Sequence, residues 1–92
     1  MSESKIWKYT LKLVDDVQHV LIPFGAEILT CQMQNDIICL WARHCEIAED
    51  QLQDCKFKVY GTGEIIPNTD QLRMYMGTVQ QNGFVWHIYA LN

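Results

Sequence analysis

The sequence predicts an all-β protein of about seven short, mainly antiparallel strands, folded as a small sandwich or barrel. Three observations carry that expectation. Apolar residues recur at every second position along most of the chain, the period of a strand with one buried face. Turn-forming pairs, Asn35-Asp36 and Asn82-Gly83 above all, punctuate the alternation at short intervals. No segment is long enough for a crossover helix, which excludes a βαβ plan.

The first strand reads "IWKYTLKL", with Trp7, Tyr9, Leu11 and Leu13 on one face and Lys8, Thr10 and Lys12 on the other. Asp15-Asp16 breaks it as a turn, "HVLI" resumes the alternation, and Pro23 ends it. After a second turn at Phe24-Gly25, "AEILTCQMQ" and "IICLWARHC" flank Asn35-Asp36. A two-residue hairpin there pairs Met33 with Ile38, Cys31 with Leu40 and Leu29 with Ala42, one uniform apolar face. Ile28, Thr30, Gln32, Cys39, Trp41 and Arg43 then share the opposite face.

Residues 46–54, "EIAEDQLQD", have the best helix propensity in the chain and predict at most one short helical turn, anchored by Ile47 and Leu52. "CKFKVY" returns to alternation, with Phe57 and Val59 inward. Asn82-Gly83 is a type I′ hairpin signal, because both central positions need positive φ. Its register pairs Val79 with Trp86, Gly77 with Ile88 and Tyr75 with Ala90. The other face carries Met76, Thr78, Val85, His87, Tyr89 and Leu91, and is far from polar.

Ninety-two residues make one β domain over 1–92. The net charge of −4 argues against a nucleic-acid footprint, which needs a basic stripe. No run approaches a membrane span, and "MSESKIWKY" lacks the apolar core of a signal peptide. Cys31, Cys39, Cys45 and Cys55 are accordingly expected as reduced thiols in a cytosol.

Gly61-Thr62-Gly63 after a strand invites comparison with a phosphate-gripping loop. Such a loop needs a helix N-terminus and, in its Walker form, a lysine after the last glycine. Here Gly63 is followed by Glu64-Ile65-Ile66-Pro67, so the glycines are read as a turn or bulge. Cys39, His44, Cys45 and Cys55 lack the paired knuckles of structural zinc, and neighbours His44 and Cys45 point to opposite strand faces. His19, His44 and His87 lie on three different strands with no thiol placed beside them, so no catalytic residue, metal or cofactor is assigned.

"IWKYTLKL", "IPFGAEILTCQMQN", "CLWA", "FKVYGTGEIIP" and "YMGTVQQNGFVWHIY" together resemble a family of small, β-rich phage and prophage proteins of unknown function. The resemblance spans nearly the whole chain, and its motifs are strand cores and glycine turns without a catalytic signature. It implies a phage gene product acting in the cytoplasm of a bacterial host cell. "RHCEIAEDQLQDC" is the most individual stretch and the natural place for partner-specific contacts.

The expected function is therefore a non-catalytic interaction protein that binds and inhibits a host protein, plausibly of a defence system. Its candidate binding residues are Trp41, Arg43, His87 and Tyr89, with Glu46, Glu49 and Asp50 as a secondary acidic surface. One alternative is an oligomeric sponge for a small signalling nucleotide, with an aromatic on the base and Arg43 or Arg73 on phosphate. Another is a nucleotide hydrolase. Met76, Val85, Tyr89 and Leu91 are the candidate contact of a homo-oligomer, with a twofold dimer the commonest solution.

Overall fold

The computed structural model describes residues 3–91. Its order is β1 (Ser4–Leu11), β2 (Gln18–Pro23), β3 (Glu27–Gln34), β4 (Ile37–Cys45), a 3-10 turn at Glu46–Ala48, β5 (Leu52–Gly61), β6 (Leu72–Gln81) and β7 (Phe84–Leu91). The strands form two antiparallel sheets, β1-β4-β3 and β2-β5-β7-β6. They pack as a slab of 46 × 31 × 16 Å, closed along one side where β3 runs against β6.

The core lies between the sheets and is built by strand alternation. Ile38, Leu40 and Ala42 of β4 face Phe57 and Val59 of β5 and Ile88 and Ala90 of β7, all buried. Tyr9 and Leu11 of β1 join them, as the alternation predicts, whereas Leu13 lies beyond the strand and is exposed. Both predicted hairpins form. Asn35 and Asp36 have φ of 52° and 62°, and Asn82 and Gly83 have 51° and 84°, the double positive φ of a type I′ turn.

Close to those turns the register follows the apolar pattern: Met33 faces Ile38, Cys31 faces Leu40, Val79 faces Trp86 and Gly77 faces Ile88. Farther along, bulges override it. An extra residue at Leu29 puts Ile28 opposite Ala42, so Ile28 turns to the core and Leu29 is exposed, the reverse of the expectation. In β6, extra residues at Arg73 and Met76 place Met74 opposite Ala90 and Tyr75 opposite Tyr89. Met76, expected on the outer face as part of an oligomer contact, is a buried core residue, and Tyr75 takes the outer position. Uniform period-two counting cannot register a bulge, because one inserted residue exchanges the faces of everything beyond it.

Two glycines show why no side chain is admitted. A Cβ on Gly77 would stand 2.8 Å from the buried Cys31 Sγ, so β6 meets β3 through bare backbone. A Cβ on Gly61 would stand 3.2 Å from the Trp86 ring, and the Gly61 N–H donates to Glu64 Oε1 at 2.9 Å. Gly61-Thr62-Gly63 is a turn that seats an indole, and a carboxylate fills the place where a phosphate-binding loop keeps its anion. The helical turn is limited to Glu46–Ala48; Ile47 and Leu52, expected to anchor it, are both exposed.

Candidate functional site

Alternation leaves each sheet with an outer face, and the predicted site residues divide between them. Trp41 and Arg43 lie on the outer side of β4, opposite the core positions Leu40, Ala42 and His44. Trp41 is central, between Lys8 of β1 and Thr30 of β3. Ile6 and Ile37, 57% and 48% exposed, add apolar area to this side, and polar pairs border it. The Arg43 guanidinium donates through Nε and Nη2 to Glu27 Oε1 at 3.1 and 3.0 Å, and Lys8 Nζ donates to Gln34 Oε1 at 2.9 Å. Cys39 shares this side but is buried, its thiol 3.9 Å from the same Gln34 oxygen.

His87 and Tyr89 lie on the outer side of β7, across the slab from Trp41, so the four residues form no single surface. Here a polar network runs from strand to strand. His87 Nε2 is 2.7 Å from Thr62 Oγ1, and its Nδ1 is 3.1 Å from Thr78 Oγ1, which in turn contacts the Tyr75 hydroxyl. Thr62 Oγ1 also donates to the Val85 carbonyl at 3.4 Å. Tyr89 stands edge-on between Tyr60 and Tyr75, with ring centroids at 6.0 and 5.3 Å.

Neighbouring residues that sequence reading passed over complete this side. Tyr60 is buried, donates to Asp70 Oδ2 at 2.8 Å, and has Lys58 Nζ 5.2 Å from its ring centroid. Lys58 also donates to Asp70 at 3.0 Å. These two donors hold the Asp70 carboxyl below its usual range, whereas burial first and then Asp70 push the Tyr60 hydroxyl far up. The Asp70 clamp ties the loop between β5 and β6 across the sheet. His19 of β2 meets Asp54 of β5 at 2.9 Å. The signal for these pairs is long-range strand order, β2 beside β5, which no local pattern contains.

The acidic residues gather at the end of the slab beside the 3-10 turn. Glu46 and Asp50 are exposed, but Glu49 is engaged inward. It accepts from Lys5 Nζ at 3.0 Å and lies 3.3 Å from Nε2 of the fully buried His44, against whose ring Trp7 stands edge-on at 5.1 Å. Hydrogen bonds from Lys5 and then His44 lower the Glu49 carboxyl, and the Glu49 bond raises Lys5. His44 Nδ1 has no partner among the described residues. Arg73 is the inserted residue of a β6 bulge, whereas Arg43 lies on β4 and is held by Glu27. Val85, Tyr89 and Leu91 share the outer face of β7, without Met76.

Among the described residues no three His, Cys, Asp or Glu side chains converge as a metal site would require. All four cysteines stand as free thiols, and none lies within hydrogen-bonding distance of a histidine. The described histidines bond instead to carboxylates and hydroxyls. The outer faces present aromatic rings and hydrogen-bonding side chains.

Over residues 2–92 the sequence matches a family described as Domain of unknown function (DUF7352). The chain belongs to that family. Comparison with curated proteins returned no match, and comparison with solved structures returned none either. The family description names no ligand, reaction or partner, so function is argued from the surfaces themselves. Among the described residues no helix is long and apolar enough to cross a membrane.

Proposed function

We propose that this chain is a non-catalytic binding protein that acts by covering part of another protein with the outer face of β1-β4-β3. One observation carries the reading: no described element lies over that face, which presents half-buried Trp41 between Lys8 and Thr30 at its middle and exposed Ile6 and Ile37 nearer its margins. Trp and Arg are the residues most often dominant in specific interfaces. Three strands of about eight residues give a plan of roughly 14 by 26 Å, on the order of 370 Å², before side-chain relief and rim are counted. That plan is about half of the ~800 Å² per partner of a standard interface.

The resemblance to small phage proteins supports a bacterial host protein as the partner and inhibition in the host cytoplasm as the consequence. Exposed Tyr75, with Tyr89, Val85 and Leu91, supports a second use of the opposite face in twofold self-association.

The test is affinity capture from bacterial lysate with wild type, Trp41→Ala and Tyr89→Ser in parallel. Wild type and Tyr89→Ser retain the same partner, and Trp41→Ala loses at least about 30-fold in affinity, the effect of a hot-spot truncation near 2 kcal/mol. Equal retention by Trp41→Ala, or no partner for the wild type, refutes the reading. Sedimentation of the wild type as a monomer at micromolar concentration removes the dimer.

A further inference from the structure

The bulges that break the apolar register also open a cavity. Leu29 in β3 and Arg73 in β6 are the inserted residues, and these two strands pack against each other across the slab. Beside them lies a cleft of 540 Å³ that adjoins a smaller one of 160 Å³; Ile28, Gln53, Cys55, Arg73 and Met74 line both. The larger volume lies within the range of small-molecule sites, about 300–1,000 Å³. Its wall includes Ile22, which is fully buried, and Ile28, whose turn into the core is itself the result of the Leu29 bulge.

Arg73 and Lys56 line the two cavities beside the carboxylates of Glu27 and Asp54, and among the described residues Arg73 is a cation left unpaired there. Arg73 makes no ion pair and no side-chain hydrogen bond among the described residues. Arg43, the other arginine, is already committed to Glu27, and that same contact neutralises the one carboxylate lining the larger cavity. Asp54, which touches the smaller cavity, is paired with His19. Burial first and Asp54 second push the Cys55 thiol up, so it stays uncharged at neutral pH and does not repel an anion. A bulge re-aims a side chain out of the ladder, and here the re-aimed side chain is a guanidinium at a cleft of mixed polar and apolar lining.

We propose that this cleft binds a small amphipathic anion, with its carboxylate or phosphate head on Arg73 and its apolar body against Phe24, Ile28 and Met74. The guanidinium offers paired N–H donors matched to the oxygens of either head, and the half-buried Gln53 amide supplies a further polar contact. The site adjoins the Trp41 face at the paired Glu27 and Arg43, and anion binding is read without any docking partner.

The test is a titration of ¹⁵N-labelled protein with octyl phosphate and octanoate, beside octanol and inorganic phosphate. Both amphipathic anions shift the amides of Ile28, Cys55 and Met74 in a saturable manner. Their relative affinities show whether the phosphate or the carboxylate head is preferred. Octanol and inorganic phosphate each bind at least about tenfold more weakly, since each keeps only one half of the recognition. Arg73→Gln, at an exposed position, keeps the wild-type spectrum and loses at least about tenfold in affinity, the fold-change expected for one charge-assisted hydrogen bond. No saturable shift at these three amides up to millimolar anion overturns the proposal. So does undiminished binding to Arg73→Gln, or inorganic phosphate binding as tightly as octyl phosphate.

Discussion

Replacing Gly77 by alanine tests the packing of the two sheets at their closest approach. The added Cβ falls 2.8 Å from Cys31 Sγ and 3.7 Å from the Cys31 carbonyl oxygen, on a backbone with φ of +151°. Cys31 is 5% exposed and belongs to the core, so its sulfur has no free volume to enter. Overpacking of this kind costs about 1–3 kcal/mol, and a side chain in a positive-φ conformation adds about 1–2 kcal/mol. Together these predict a loss of about 2–5 kcal/mol, a large share of the ~5–15 kcal/mol that stabilises a typical native protein. At about 4–8 °C per kcal/mol, melting falls by at least about 8 °C. Thermal and urea melts of wild type, Gly77→Ala, Cys31→Ala and the double variant form a closed cycle. Removing the sulfur relieves the overlap and leaves the backbone strain, so Gly77→Ala costs at least about 1 kcal/mol less in the Cys31→Ala background. Additivity within about 0.5 kcal/mol would refute a direct clash between these positions. An unchanged melting temperature for the single variant would refute the close approach itself.

Two further outcomes follow from the same geometry. Phe57→Ala, at a fully buried position between the sheets, lowers stability by about 3–5 kcal/mol in urea titration with little change in the slope; a loss under 1 kcal/mol means that Phe57 is not a core residue. Asp70→Asn weakens the clamp to Lys58 and Tyr60, and pH reveals it. The folded Asp70 carboxyl lies below the unfolded value near 3.9, so its stabilisation is fully present above that pH and is lost as pH falls through the folded value. Wild type is therefore the more stable protein at pH 7, and the gap between it and Asp70→Asn closes below about pH 4. A pH-independent gap, or one that widens in acid, contradicts the charged clamp.

Much of the fold was legible in the residue pattern, for reasons that particular elements make plain. Asn35-Asp36 and Asn82-Gly83 encode their turns locally, so the strands beside them pair as the alternation requires. The inward set Leu40, Ala42, Phe57, Val59 and Ile88 follows from period two alone. Legibility ends at Leu29, Arg73 and Met76, because a bulge is a tertiary decision with no dipeptide signature. The surfaces were legible only by strand. Trp41 beside Arg43 and His87 beside Tyr89 are local facts, but which sheet each pair faces away from depends on the order β1-β4-β3 and β2-β5-β7-β6. The same order brings His19 to Asp54 across 35 positions, beyond the reach of any periodicity. Two of the three places where counting failed, the Leu29 and Arg73 bulges, border the cleft proposed for an anion, in keeping with local rules being broken at functional sites.

Hydroxyl-radical footprinting of side chains, in the free protein and in a complex captured from lysate, tests most directly the proposed docking through the three-stranded sheet. Oxidation of Trp41, Ile6 and Ile37 falls on binding, while Tyr75 and Phe84, exposed on the other sheet, are modified as before. Protection of the β2-β5-β7-β6 side with Trp41 left fully reactive contradicts docking through the three-stranded sheet.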